Sequence, residues 1–193
     1  MADIIDQKLN EWAQGKSEID TRIAIYYQIR DIPYAVIPDL ISPAQYTDML
    51  KFNRGSCTPK HFLLCQMYQR IGLEVWYAVY PFRWDEFEAI YPAKLRRQAR
   101  DMPPGYHLTC RVNINDNLVL VDATLDPPLQ KLGLPVNEEW DGISDTLLAM
   151  KPCGEEEPYH PSEAFLIQPR IADPKSRVFY DGLNLWLEQI RNE

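Results

Sequence analysis

Two stretches, Tyr106 to Ile114 and Leu118 to Leu125, alternate apolar and polar residues on either side of Asn115, Asp116 and Asn117, a pattern that only a β-hairpin accommodates well. In the first stretch Leu108, Cys110, Val112 and Ile114 share one face, and His107, Thr109, Arg111 and Asn113 share the other. On the return, Val119, Val121 and Ala123 are uniformly apolar, whereas Leu118, Leu120, Asp122 and Thr124 are mixed. The two apolar faces coincide only if Thr109 lies opposite Asp122. A two- or four-residue loop centred between Asn115 and Asp116 supplies that register. His107 and Asp122 then become diagonal neighbours on one face, about 7 Å apart between backbones and within side-chain reach. A three-residue loop without a bulge would place them on opposite faces.

A carboxylate beside an imidazole orients the ring and stabilises its charged form, which is half of a nucleophilic triad. The other half is a thiol. Cys57 follows Gly55 and Ser56 at the mouth of a helix predicted over about Pro59 to Ile71, with Thr58 and Pro59 as cap, Phe62, Leu63, Met67 and Ile71 as apolar stripe, and Gly72 as the left-handed residue beyond its end. Free amides and the positive end of the helix dipole favour a thiolate there. Alone, Cys57 reads as a core cysteine, His107 as an ordinary strand histidine and Asp122 as a turn or ladder contact. Taken together they favour chemistry. The Cys57 N–H is one donor for a developing oxyanion. Asn53 and Gln28 are candidates for the second, and His61 for a supporting residue in the first helical turn.

The rest of the chain reads as an α+β protein. Ser17 and Asp20 open a helix carrying Ile19, Ile23, Tyr26, Tyr27 and Arg30, and Pro33 closes it. Ser42 and Pro43 open a short helix through Met49 and Leu50 that Asn53 and Gly55 break. Leu73 to Phe82 is a strand ended by Pro81, and Trp84 to Arg100 is a helical insertion bearing Trp84, Phe87 and Tyr91. Trp84, Tyr80 and Tyr106 are expected to line a substrate cleft. Beyond Asp126 the proline content predicts long surface connections rather than a second core. A final helix, capped by Asp173 and Pro174, docks through Val178, Phe179, Leu183, Trp186, Leu187 and Ile190. One domain over residues 1–193 is expected, with a core over about 17–126 and an extension with the last helix over 127–193.

A formal net charge of −8 disfavours phosphate backbones and anionic lipid as partners. Residues Met1 to Gly15 have neither the basic start nor the apolar run of a signal peptide, and no apolar stretch is long enough for a membrane span. Four cysteines, Cys57, Cys65, Cys110 and Cys153, without a secretion signal fit reduced thiols in a cytoplasm. No cofactor and no metal is expected. Cys57, His61 and Cys65 recur every four residues and, with His107, could in principle ligate a metal, but Pro59 puts Cys57 at the helix entrance and off that face. Cys65 and Cys110 read as core, and His160 as surface.

The run G-S-C-T-P-K-H-F-L-L-C-Q-M-Y-Q-R-I-G-L-E-V, Gly55 to Val75, resembles the core of the transglutaminase-like superfamily, in which a G-x-C opens a helix that ends in a glycine before a strand. Y-H-L-T-C-R-V-N-I and L-V-L-V-D-A-T-L-D are similar to that family's histidine strand and D-x-T strand, and Ile23 to Tyr34 to the helix preceding its nucleophile. The likeness covers about Arg22 to Asp126. It implies a papain-like, cysteine-proteinase fold with nucleophile Cys57, general base and acid His107, and orienting carboxylate Asp122, acting through a thioester on a peptide, protein or small amide or ester. Leu108 and Thr109 follow the histidine where the family often has a tryptophan, and Val119 or Leu120 stands where another is common. Arg54 to Cys57 also resembles the R-G-G-x-C of arylamine N-acetyltransferases, but without the second glycine. A binding module that keeps the fold without turnover is the principal alternative, and a Cys/His metal protein a more distant one.

Overall fold

Asn115 and Asp116 both adopt positive φ, 52° and 63°, which makes the hairpin turn a two-residue loop of the kind whose twist matches its strands. The computed structural model describes residues 3–87, 90–167 and 174–193. Strands β1 (Val75–Phe82), β2 (Gly105–Ile114), β3 (Asn117–Val121) and β4 (Glu157–Tyr159) form one antiparallel sheet in the order β3-β2-β1-β4. The ladder pairs Cys110 with Val121 and Val112 with Val119, the register in which the next pair outward would be Thr109 and Asp122. Strand β3 stops at Val121, so Asp122 to Leu125 leave the ladder instead of extending it. Strand β4, in the segment expected to be loop, adds an edge to β1 through Tyr77 to Val79.

Helices α1 (Ile4–Ala13) and α2 (Glu18–Arg30) precede two short turns of helix, a 3₁₀ segment at Tyr46–Asp48 and α3 (Met49–Phe52). Ser17 caps α2 by accepting from the Asp20 amide. Its buried face is Arg22, Ile25, Tyr26, Ile29 and Arg30, while Ile19 is exposed, so the apolar stripe is rotated from the expected one. Ser42 only supports a turn, accepting from the Ala44 amide, and the helix expected from there begins four residues later. Asn53, at φ 48°, ends α3.

Helix α4 (Cys57–Arg70) begins two residues earlier than expected. Ser56, not Thr58, is its N-cap, and Cys57 is its first helical residue. Gly72, at φ 86°, follows its C-terminal end, a backbone conformation that suits glycine. The helix lies across β2, packing Phe62, Leu63 and Met67 with Leu108, Cys110, Val112, Val119 and Val121 in the main core. Cys65 and Cys110 are both fully buried there, their sulfurs 2.7 Å apart, and both are free thiols.

The second half of the chain is more than surface connection. Leu125, Leu129, Val136 and Met150 join Phe82, Trp84, Tyr91 and Leu95 in a second buried cluster. Helix α5 (Ala93–Arg100) follows a 3₁₀ turn at Trp84–Phe87, so the insertion is two short pieces. Helix α6 (Pro174–Asn192) completes the cluster with Phe179, Tyr180, Leu183, Trp186 and Leu187, each such burial contributing about 2 kcal/mol. Val178 of the expected docking face is exposed. Asp173, one of its two expected cap residues, lies outside the described residues. The helix is locked in place by Arg191, whose guanidinium grips both Asp126 oxygens at 2.7 and 2.8 Å and donates to the Tyr34 carbonyl. Among the described residues no helix is long and apolar enough to cross a membrane.

Candidate active site

The entry to α4 is set by a close backbone approach. Gly55 pairs with Tyr34 in an isolated parallel bridge, donating to Pro33 O and accepting from the Ala35 amide. A β-carbon on Gly55 would stand 2.5 Å from Met49 Sδ, so any larger residue there would have to displace the buried Met49 side chain. The bridge delivers Ser56 and Cys57 to the floor of a cavity of about 760 Å³, including its open mouth. His107 lines the same cavity. Cys57 is 7% exposed, and His107 and Asp122 are sealed from solvent.

Asp122 is held from several directions. Its Oδ2 accepts from His107 Nε2 at 2.7 Å and from the Ala149 amide at 2.7 Å, and its Oδ1 accepts from the Thr124 amide at 3.0 Å. Its own amide donates to Thr146 Oγ1 at 2.8 Å. Burial alone would raise its pKa, yet the charge and hydrogen bond of His107, the nearby His61 and the Thr124 contact hold the carboxyl well below the usual carboxylate range.

Because Nε2 of His107 is committed to Asp122, Nδ1 is the nitrogen left for chemistry at Cys57, and it is buried without a hydrogen-bond partner among the described residues, the thiol included. Burial lowers the pKa of this ring, but the Asp122 charge and hydrogen bond, together with the Cys57 thiol, reverse that and raise it to about 10. The thiol responds in kind. Burial pushes Cys57 up, but the nearby His107 ring and its charge, the Leu108 amide and the Thr58 hydroxyl draw it below its ordinary value. The two shifts run in opposite directions, each favouring the charged form of its group.

His61 is fully buried one helical turn beyond Cys57. Its Nε2 accepts from the Ala123 amide at 3.0 Å, which fixes the tautomer: Nδ1 carries the proton and donates to Cys57 O at 2.8 Å. One ring thus ties the turn bearing the thiol to the segment bearing the carboxylate. Burial, against the pull of Asp122, lowers its pKa to about 4, so it stays neutral. Lys60, also buried, ties the same two regions by donating to Arg30 O and Thr124 O at 2.9 and 2.7 Å.

The other sequence candidates divide. Gln28 is exposed on α2 and Asn53 is exposed at the end of α3, and neither lines the cavity. Trp84 and Tyr106 do line it. Tyr80 does not: its hydroxyl bonds Glu156, which is also paired with Arg111. With Cys57 on the helix the four-residue series Cys57, His61, Cys65 does share a face, but both His61 nitrogens are occupied and Cys65 turns to Cys110. Among the described residues no group of three or more His, Cys, Asp or Glu is placed to hold a metal.

Ser56 is the residue that pattern reading passes over. An N-cap serine ordinarily accepts from an amide of the first turn. Here it makes no such bond, and its Oγ is buried, without a partner among the described residues, in the cavity wall beside Cys57. The only signal in the sequence was its place between Gly55 and Cys57.

No family model matches the sequence, and none of the curated proteins matches it. Among solved structures, a "putative cysteine protease" from Cytophaga hutchinsonii aligns with 18% identity and a TM-score of 0.44, over 66% of this chain and 38% of that one. The alignment therefore takes in well under half of that protein's length.

Proposed function

We propose that the chain is a cysteine-dependent acyl-transfer enzyme of the transglutaminase-like class, which hydrolyses an amide or ester through a thioester on Cys57. The observation that carries this reading is the gathering of Asp122, His107 and Cys57: a 2.7 Å hydrogen bond from ring to carboxylate, with the unbonded Nδ1 of that ring belonging to a residue that lines the same cavity as Cys57. Asp122 keeps His107 protonated, and His107 keeps Cys57 ionised.

In this mechanism the Cys57 thiolate attacks the carbonyl carbon and the carbonyl electron pair moves to oxygen. The Cys57 amide at the mouth of α4 and the Ser56 hydroxyl donate to that oxyanion. Collapse breaks the bond to the leaving group, which takes the Nδ1 proton of His107 and departs as amine or alcohol. A water then gives a proton to His107 and adds to the thioester, and the second collapse releases the carboxylic acid and restores the thiolate. An amine in place of water would give transfer. Hydrolysis is the preferred outcome, since no feature of the cavity singles out an amine. A cytoplasmic setting, which keeps thiols reduced, suits this use of Cys57.

The test is iodoacetamide labelling of Cys57 against pH, alongside release of nitrophenol from a nitrophenyl ester. Rapid labelling at neutral pH, slowed in His107→Ala, and ester cleavage abolished in Cys57→Ala are expected. A sluggish thiol with no Cys57-dependent cleavage would leave a binding module as the better account.

A further inference from the structure

The cavity above Cys57 is walled by Val36, Ile41, Phe82, Trp84, Met150 and Tyr180, and among the described residues no Asp, Glu, Lys or Arg lines it. A second cavity of about 360 Å³, its open mouth included, adjoins it along the second core, again without a charged lining residue among those described, and Tyr34, Trp84 and Met150 border both. Those three side chains are therefore the partition between a reaction chamber and an apolar annex. An apolar, uncharged lining of this character favours a ring or a short aliphatic chain, while a carboxylate or ammonium there would be desolvated without a counter-charge. Besides the tyrosines and Trp84, the polar side chains of the lining are those of Ser56, Cys57, Thr58 and His107.

We infer that the acyl half of the substrate is a bulky, uncharged apolar group seated in this chamber, and that Met150 with Trp84 and Tyr34 sets the limit on its length. This rests on the thiol reading above and adds the substrate class. The leaving group, by contrast, departs toward the open mouth beside Pro103, Pro104 and Tyr106, where its polarity is unconstrained. The chemistry selected is an amide or ester of an aromatic or medium-length aliphatic acid.

The experiment uses nitrophenyl esters of acetic, hexanoic, dodecanoic and 3-phenylpropanoic acids and the monoester of succinic acid, with kcat/KM measured for the full chain. Hexanoyl and phenylpropanoyl esters should exceed acetyl by at least about tenfold, as expected for filling an apolar site with several methylenes or a ring. The succinyl ester should fall at least about a hundredfold below hexanoyl, because its carboxylate would be buried unpaired. Met150→Ala should move the optimum from hexanoyl toward dodecanoyl by joining the two spaces, and Ile41→Trp should lower the ratio of phenylpropanoyl to acetyl. These are ratios within one protein, so loss of folded material leaves them unmoved, and the Cys57 alkylation rate confirms that each variant is folded. A flat acyl profile, a preference for succinyl, or an unchanged profile in Met150→Ala with Cys57-dependent turnover intact would overturn this inference and leave the thiol mechanism standing. Ester cleavage that persists in Cys57→Ala would overturn both.

Discussion

His107 Nε2 and Asp122 Oδ2 lie 2.7 Å apart with both side chains wholly excluded from solvent, and this contact favours the charged form of both partners. Replacing the acid by its amide isolates the effect. In Asp122→Asn the side-chain carbonyl can still accept one hydrogen bond, but the charge that holds the ring protonated is gone. A fall of about 10³- to 10⁴-fold in Cys57-dependent kcat/KM is expected, the scale seen when a triad loses its carboxylate. A change below tenfold would remove Asp122 from the mechanism.

The pH profile follows from the two shifts. The thiolate forms as pH rises through the lowered value of Cys57, and the imidazolium is lost as pH rises through about 10, so turnover should be bell-shaped with a broad plateau between. The stability sign can be worked out as well. His107 binds its proton more tightly folded than unfolded, so its contribution is complete below its ordinary value of 6.5 and is lost as pH rises toward about 10. In urea titrations, His107→Gln should flatten this alkaline decline.

Ser56 offers a cleaner separation of catalysis from folding. Because its Oγ makes no hydrogen bond among the described residues, Ser56→Ala should leave the urea midpoint nearly unchanged. Loss of an oxyanion donor should lower kcat about 10²-fold with KM little altered. A shift in midpoint with full kcat would make the serine structural.

His61 should behave in the opposite way. His61→Ala orphans the buried Ala123 amide and leaves a void between α4 and the segment after β3, a loss of about 3 kcal/mol in unfolding free energy. The wild-type ring, neutral when folded down to about pH 4, takes up a proton on unfolding below its ordinary value of 6.5. Stability should therefore rise with pH between about 4 and 6.5, and the variant should lose that slope.

Arg191→Ala breaks a buried pair and leaves the Asp126 carboxylate without its counter-charge. Destabilisation of about 3–5 kcal/mol is expected, together with loss of ester turnover, since the same guanidinium holds Tyr34 at the cavity wall.

The hairpin was legible because a period of two and a short turn leave little freedom in register, and that register places His107 beside Asp122. Cys57 was legible from its place before a capped helix, although Thr58 imitated the cap that Ser56 supplies. What escaped pattern reading was non-local. Tyr80 looked like a cleft aromatic, and only the partnership with Glu156, remote in sequence, shows where its hydroxyl is spent. Trp84 read as part of an amphipathic insertion, yet it packs against Phe179 and Tyr180 of a helix formed much later in the chain. Proline-rich segments carry no period, so nothing local announced that Thr146 and Ala149 would grip Asp122 or that Glu157 to Tyr159 would add a strand.

The grip of Ala149 on Asp122, and of Arg191 on Asp126, also bears on synthesis. A polypeptide still tethered to the ribosome just past Asp122 already contains sulfur, imidazole and acid, but lacks the Ala149 amide that holds the acid and the guanidinium that fixes Asp126 and Tyr34 nearby. The hydrogen-bond shell of the acid is therefore completed only after residues well beyond it in the chain have been made and have docked.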